Sequence, residues 1–199
     1  MGTALKDFMA GGVLDITGII VGVIMLLLMP VPCAHAAGNS IVLYRIGDDA
    51  PQAWSFLRQY LEGKGYPVIF YQGEATIERH VEKVNALNRG PGAIFLAVEL
   101  VPAERTHVMV AMTIAKKGEG RFLTIDQIPD RFAAESEKLA GSVTAPFKVQ
   151  VKHLPLFPLL GINMPGVFVR MQFKEGEFEG EVDKLGSGIE RYFAERTTR

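Results

Sequence analysis

The chain has 199 residues and a single cysteine, Cys33, so it forms no disulfide within itself and is held together by packing. It has no excess of charge either: 21 Lys and Arg stand against 22 Asp and Glu, a net charge of −1. Without a clustered basic surface there is no electrostatic footprint for a phosphate backbone, and a nucleic-acid partner is excluded. Histidine is scarce. The four histidines include no pair at i, i+4 spacing and no HExxH-like segment, which removes the helical metal-ligand motifs. Glycine (21) and proline (11) are scattered rather than clustered, so no low-complexity linker and no repeat divides the chain.

Long apolar runs are rare too, with one exception. Ile16 to Met29 (ITGIIVGVIMLLLM) is fourteen residues without a charge. That is short of the roughly 20 needed to span a bilayer and matches the core of a secretory signal. Pro30 and Pro32 end the run, and Ala34-His35-Ala36 supplies the small-x-small pattern that precedes cleavage. The segment 1–36 is therefore expected to be a signal peptide cut before Ala37, or an N-terminal anchor if it stays uncut. Either way the domain at 37–199 is expected to be exported to the periplasm or cell envelope. Its charges then balance, because the segment removes Lys6, Asp7 and Asp15. Val31-Pro32 before Cys33 does not resemble a lipidation signal, so no role is assigned to that cysteine.

Within the domain, short apolar runs alternate with amphipathic stretches. Ile41–Ile46, Tyr66–Tyr71 and Ala93–Val98 read as strands buried on both faces. A helix from about Pro51 presents Trp54, Leu57 and Leu61 on one side. Asp48 or Asp49 is positioned to cap it. A second helix over 75–88 is expected to turn Ile77, Val81, Val84 and Leu87 inward, leaving His80 in solvent. Thr106–Ala115 reads as a fourth strand, about 126–140 as a third helix, Phe147–Lys152 as an alternating edge strand, Gly166–Phe173 as a core strand and about 179–195 as a closing helix. The pattern specifies an α/β fold with a mainly parallel, partly mixed sheet of about six strands and helices on both faces. The polar connection before Thr106 is too short for a helical crossover, so some antiparallel pairing is expected there.

The order of these elements resembles the zinc-dependent N-acetylmuramoyl-L-alanine amidases, the cell-wall hydrolases that cut the glycan–peptide amide. Tyr60–Val68 (YLEGKGYPV) resembles that family's first helix end and second strand. Glu78–Leu96 resembles its second helix and the approach to the third strand. Met164-Pro165-Gly166-Val167-Phe168-Val169-Arg170-Met171-Gln172-Phe173 resembles its Met-Pro-Ala-Val-Leu-Val-Glu-x-Gly-Phe strand, and Gly188–Phe193 its terminal helix. The family's chemistry does not carry over. Its first zinc His falls in a loop that here reads Tyr44-Arg45-Ile46-Gly47-Asp48-Asp49. Its later His falls in Ala97-Val98-Glu99-Leu100-Val101, and its catalytic Glu is Arg170. Zinc-assisted amide hydrolysis needs three protein ligands with an open position and a carboxylate to move the proton. A guanidinium holds its proton across the usable pH range and cannot serve as that base.

The resemblance thus implies an amidase-like scaffold without its machinery, with no catalytic residue, no metal and no cofactor. Its partner would be a peptidoglycan stem peptide or an envelope protein, with membrane contact only if residues 1–36 remain attached. Two rivals stand beside it: a hydrolase with a remodelled, metal-free site built from Asp48, Asp49 or Glu99, and a membrane-anchored structural partner in an envelope complex. The degenerate-site candidates are Asp48, Asp49, Glu99 and Arg170. Glu99 and Arg170 are expected to meet as a buried ion pair where the family holds its metal. His107 and His153, near strand starts, are read as structural or surface residues. Leu154–Met164 (LPLFPLLGINM) is either a loop folded on the core or a groove wall at the C-terminal edge of the sheet.

Overall fold

The computed structural model describes residues 38–118, 123–174 and 176–197. The expected signal or anchor, residues 1–36, and its cleavage point lie outside the described residues. Among those described, no helix is long and apolar enough to cross a membrane.

The described residues form six strands and four helices: β1 (Ile41–Ile46), α1 (Pro51–Gly63), β2 (Val68–Gln72), α2 (Ile77–Leu87), β3 (Ile94–Pro102), β4 (His107–Thr113), α3 (Ala133–Thr144), β5 (Lys152–Leu154), β6 (Gly166–Phe173) and α4 (Phe178–Thr197). The sheet order is β2-β1-β3-β6-β4-β5. β1 runs parallel to β2 and β3, and β3 parallel to β6. β4 runs antiparallel to β6 and parallel to β5. This is the expected mixed α/β sheet. The reversal falls where the connection from Pro102 to His107 leaves no room for a crossover helix.

Because side chains alternate across a strand, each strand feeds two cores. On one face Leu43, Leu96, Val98, Val110 and Val169 pack against Trp54, Leu57 and Leu61 of α1, Leu139 and Val143 of α3, and Leu185, Ile189 and Phe193 of α4. On the other, Val42, Tyr44, Phe95, Ala97 and Phe168 meet Val84 and Leu87 of α2 together with Leu159, Ile162 and Met164. The segment 154–164 is therefore folded onto the core. It lies across the α2 face, and its Phe157 and Pro158 reach the C-terminal ends of β1 and β2, where they line a hollow with Ile46, Gly47, Gln72 and Gly73.

Two glycines let α4 lie close to its neighbours. A Cβ at Gly188 would stand 2.7 Å from the Val143 Cα and 2.8 Å from the Ser142 carbonyl oxygen, both backbone atoms of α3. A Cβ at Gly186 would run into the Tyr60 ring of α1.

Three expectations need correction. The third helix begins at Ala133, because Pro129 favours a 3₁₀ turn over Ile128–Phe132. Residues 147–152 do not form one strand. α3 runs out through a 3₁₀ turn over Ala145–Phe147, and Lys148 adopts a left-handed conformation (φ 56°), so extended structure starts only at Lys152.

The third correction concerns α2. It is rotated from the expected face: Ile77 is 40% exposed, whereas His80 is fully buried beside Val84 and Leu87. The reason is hydrogen bonding. The His80 Nε2 lies 3.1 Å from the Leu160 carbonyl oxygen, which can only accept, so Nε2 carries the proton. Nδ1 is then free to accept from the Tyr44 hydroxyl at 3.0 Å. The same hydroxyl accepts from the Glu74 backbone N–H at 2.9 Å. Two turns along, Asn88 donates Nδ2–H to Gly161 O (2.8 Å) and accepts from the Asn163 N–H (2.9 Å). α2 thus pins the 154–164 segment at two points.

Candidate functional site

The candidate residues are spread over the C-terminal part of the sheet, Asp48 and Asp49 just after β1, Glu99 on β3 and Arg170 on β6. Ile46, the last residue of that strand, is level with Glu99 of β3, and Glu99 is level with Arg170 of β6. By alternation these positions share the α2 face, where β3 and β6 run on beyond the end of β1. Arg170 Nε lies 3.3 Å from Glu99 Oε2. The contact is an ion pair without hydrogen-bond alignment, since the Arg170 Nε–H has no hydrogen-bond partner among the described residues.

The expected pairing is present, but not the expected burial. The Arg170 side chain is 42% exposed and that of Glu99 27%. Water therefore screens the pair, and its contribution is at most about 1 kcal/mol. The Arg170 Nε atom is itself buried, but the rest of the side chain reaches solvent, so removing one partner leaves the other charge hydrated. Glu99→Gln and Arg170→Gln are each expected to change the unfolding free energy by less than about 1 kcal/mol in urea titrations, with a similarly small coupling in the double mutant. A loss above about 2 kcal/mol from either single change would show that the pair is desolvated.

Asp48 and Asp49 do not cap α1. The cap position is Ala50, in a left-handed conformation (φ 55°), without any side-chain cap bond. Gly47 (φ 74°) turns the chain just before it. Pro51 lacks an N–H, so one of the helix's uncapped donors is removed covalently. Asp48 accepts from Gln72 Nε2 at 3.2 Å and lies 3.6 Å from Arg45 Nη2, with its side chain 90% exposed. Arg45 stands on the α1 face, its guanidinium 5.6 Å from the centre of the Trp54 ring. Asp49 is exposed and makes no hydrogen bond or ion pair among the described residues. Asp48 lies beyond the strand end and lines a hollow of about 290 Å³ with Tyr44, Ile46, Gln72, Glu74, Phe157 and Pro158, and neither Glu99 nor Arg170 belongs to that lining. The structure does not bring the four candidates together.

A zinc ion does not fit this donor set. Glu99 already faces a cation, Ile46 beside it offers no donor atom, and Glu74 in the neighbouring hollow is paired with Lys83. Among the described residues no three His, Cys, Asp or Glu side chains converge as a ligand set. His107 and His153 are exposed, and His80 has both ring nitrogens engaged. A hollow of about 640 Å³ opens at the same end of the sheet, lined by Ala50, Pro51, Pro102, Phe173 and Phe178 among others. It carries no titratable side chain. A smaller one of about 250 Å³ lies by the start of α3, with Ser136, Glu137, His153, Leu159 and Met164 in its wall.

No protein-family profile matches the sequence, and no curated protein sequence matches it. Solved structures do resemble the fold. The catalytic domain of the CD27L endolysin targeting Clostridia Difficile superposes with a TM-score of 0.55 at 11% identity, covering 77% of this chain and 97% of that one. The amidase Ami1 from Mycobacterium abscessus gives 0.49 at 14% identity (78% and 99% covered). N-acetylmuramoyl-L-alanine amidase AmiC2 of Nostoc punctiforme gives 0.48 at 11% (81% and 99%). At such identities it is the fold that is shared with the endolysin domain.

Proposed function

We propose that this chain is an exported, non-catalytic binding module of the cell envelope, built on the scaffold of the cell-wall amidases and holding a peptidoglycan stem peptide or an envelope protein. The reading rests on one observation above the others: at the level where β1, β3 and β6 come together, the side chains are Ile46, Glu99 and a guanidinium paired to that Glu99. A cationic arginine there opposes a divalent metal and cannot take up a proton. The fold shared with an endolysin catalytic domain supports the cell-wall setting. The resemblance of Met164–Phe173 to the amidase strand supports the alignment. Among the described residues no contact joins Asp48 to the Glu99–Arg170 pair, which gives no support to a metal-free pair of catalytic carboxylates.

The test uses purified sacculi. The protein is expected to co-sediment with them, to carry far less than one zinc per chain by elemental analysis, and to release no stem peptide. Stoichiometric zinc with chelator-sensitive release would replace the proposal with a hydrolase. Failure to co-sediment would remove the peptidoglycan arm and leave an envelope protein as partner.

A further inference from the structure

The two edges of the sheet are unlike. β5 is three residues long and exposes Lys152 and His153, so it is short, charged and poorly suited to pairing. β2 is the other edge, bonded among the described residues to β1 alone. Its sequence, Val68-Ile69-Phe70-Tyr71-Gln72, contains no charge, no proline and no glycine. Within the strand itself none of the usual blocking residues is present, and the charge beside it is Lys83 of α2, whose Nζ rests 5.6 Å from the centre of the Tyr71 ring.

The backbone of β2 is oriented for a further strand. Ile41 N–H donates to Pro67 O at 2.8 Å, and Gly73 N–H donates to Arg45 O at 2.6 Å. In a parallel ladder a residue's N–H and C=O point to the same side, and successive residues alternate. Residues 67, 69, 71 and 73 therefore address β1. Val68, Phe70 and Gln72 point their N–H and C=O groups away from the sheet.

We infer that this edge pairs with the β2 of a second copy, antiparallel about a two-fold axis at Phe70. The three outward residues are symmetric about that axis. Phe70 faces Phe70 of the other copy and Val68 faces Gln72, each as a hydrogen-bonded pair, for about six interchain bonds. Ile69 and Tyr71 then face each other in non-hydrogen-bonded pairs, where side chains approach closest and a β-branched residue meets an aromatic ring. A two-fold axis sets every residue against its own symmetric counterpart. A charged edge strand would risk repulsion there, and this one is neutral. The result is one continuous sheet through both copies. The inference does not depend on the cell-wall reading.

Sedimentation velocity from about 1 to about 200 µM is expected to show reversible dimerisation, weak because the interface is small. Gln72→Pro removes an N–H that points away from β1 and makes no bond among the described residues. It should weaken the dimer at least about tenfold, since each chain's Gln72 contributes once to a symmetric interface. Gln72→Ala, which loses the same side chain but keeps the N–H, should dimerise like the parent. In a Cys33→Ala background, Phe70→Cys should form an interchain disulfide on mild oxidation, because hydrogen-bonded pairs place Cα atoms about 5.5 Å apart. Lys152→Cys on the other edge should not. Monomers throughout the concentration range would overturn the inference. So would a dimer unaffected by Gln72→Pro, or crosslinking through Lys152→Cys. Should Phe70→Cys unfold the domain, the concentration series and the Gln72 variants still decide.

Discussion

Gly188→Ala is expected to destabilise the domain by about 3 kcal/mol, lowering its melting temperature by roughly 10 °C. The added methyl group would stand 2.7 Å from the Val143 Cα and 2.8 Å from the Ser142 oxygen. Both belong to the α3 backbone, so no rotamer change relieves the clash. α3 and α4 must instead separate, and Leu139, Val143, Leu185 and Ile189 lose contact behind them. Gly141→Ala is the matched control. It lies within α3, and nothing comes within 4 Å of its added Cβ. Its helix propensity gain alone should stabilise by up to about 1 kcal/mol. Calorimetry on the two variants separates close packing from propensity. A Gly188→Ala protein that melts with the parent would mean that the two helices sit further apart than described.

His80→Ala should cost a similar amount, about 3–4 kcal/mol, by a different route. It empties a fully buried site and leaves the Tyr44 hydroxyl hydrogen and the Leu160 carbonyl without partners. The intact network also has a pH signature. Burial holds the His80 pKa below its usual value of 6.5, against smaller opposing effects from the Leu160 carbonyl and the Glu74 carboxylate. The folded protein keeps His80 neutral where the unfolded chain takes up a proton. The contribution is therefore fully present above pH 6.5 and is lost as the pH falls from there toward the lowered folded value. Glu74 and Asp126 are held below the ordinary carboxylate range by Lys83 and Lys116, so their own loss comes at lower pH. Melting temperatures between about pH 7.5 and 5 should fall in the parent and flatten in His80→Gln. An equal slope in both would assign the effect elsewhere.

The sheet was legible in the sequence because its central strands are buried on both faces. A continuous apolar run such as Ile94–Val98 has few other uses in a chain of this composition. The reversal at β4 was legible for a similar reason, the shortness of the connection before it. What misled was any place where a polar group or a backbone kink overrode the pattern. His80 lies in the same helical stripe as Val84 and Leu87, but a titratable ring is ordinarily assigned to solvent. Only the coincidence of Tyr44 and Leu160, far apart in sequence, satisfies it inside. Asp48 and Asp49 have the composition of a helix cap, yet Ala50 takes a left-handed turn that carries the aspartates past the helix end. The meeting of Glu99 and Arg170 followed from the alignment with the amidase strands. Their exposure did not, because among the described residues no helix covers that end of the α2 face, and sequence pattern alone does not report what is missing overhead.

The position of β6 also sets the order in which the domain can be completed. β1, β2 and β3 are contiguous in sequence and lie side by side, so they can associate while later residues are still being made or threaded. β3 and β4 follow one another in the chain but are not neighbours. The strand that separates them, Gly166–Phe173, is nearly the last to arrive. Until it does, the hydrogen-bonding sides of β3 and β4 that will face it are both open, and the longest-range pairing in the fold carries the largest loop-closure cost. A chain shortened at its C-terminus loses its centre, not a flank. A chain emerging slowly from its N-terminus holds an unfinished sheet until the end, the interval in which it is most exposed to aggregation and proteolysis.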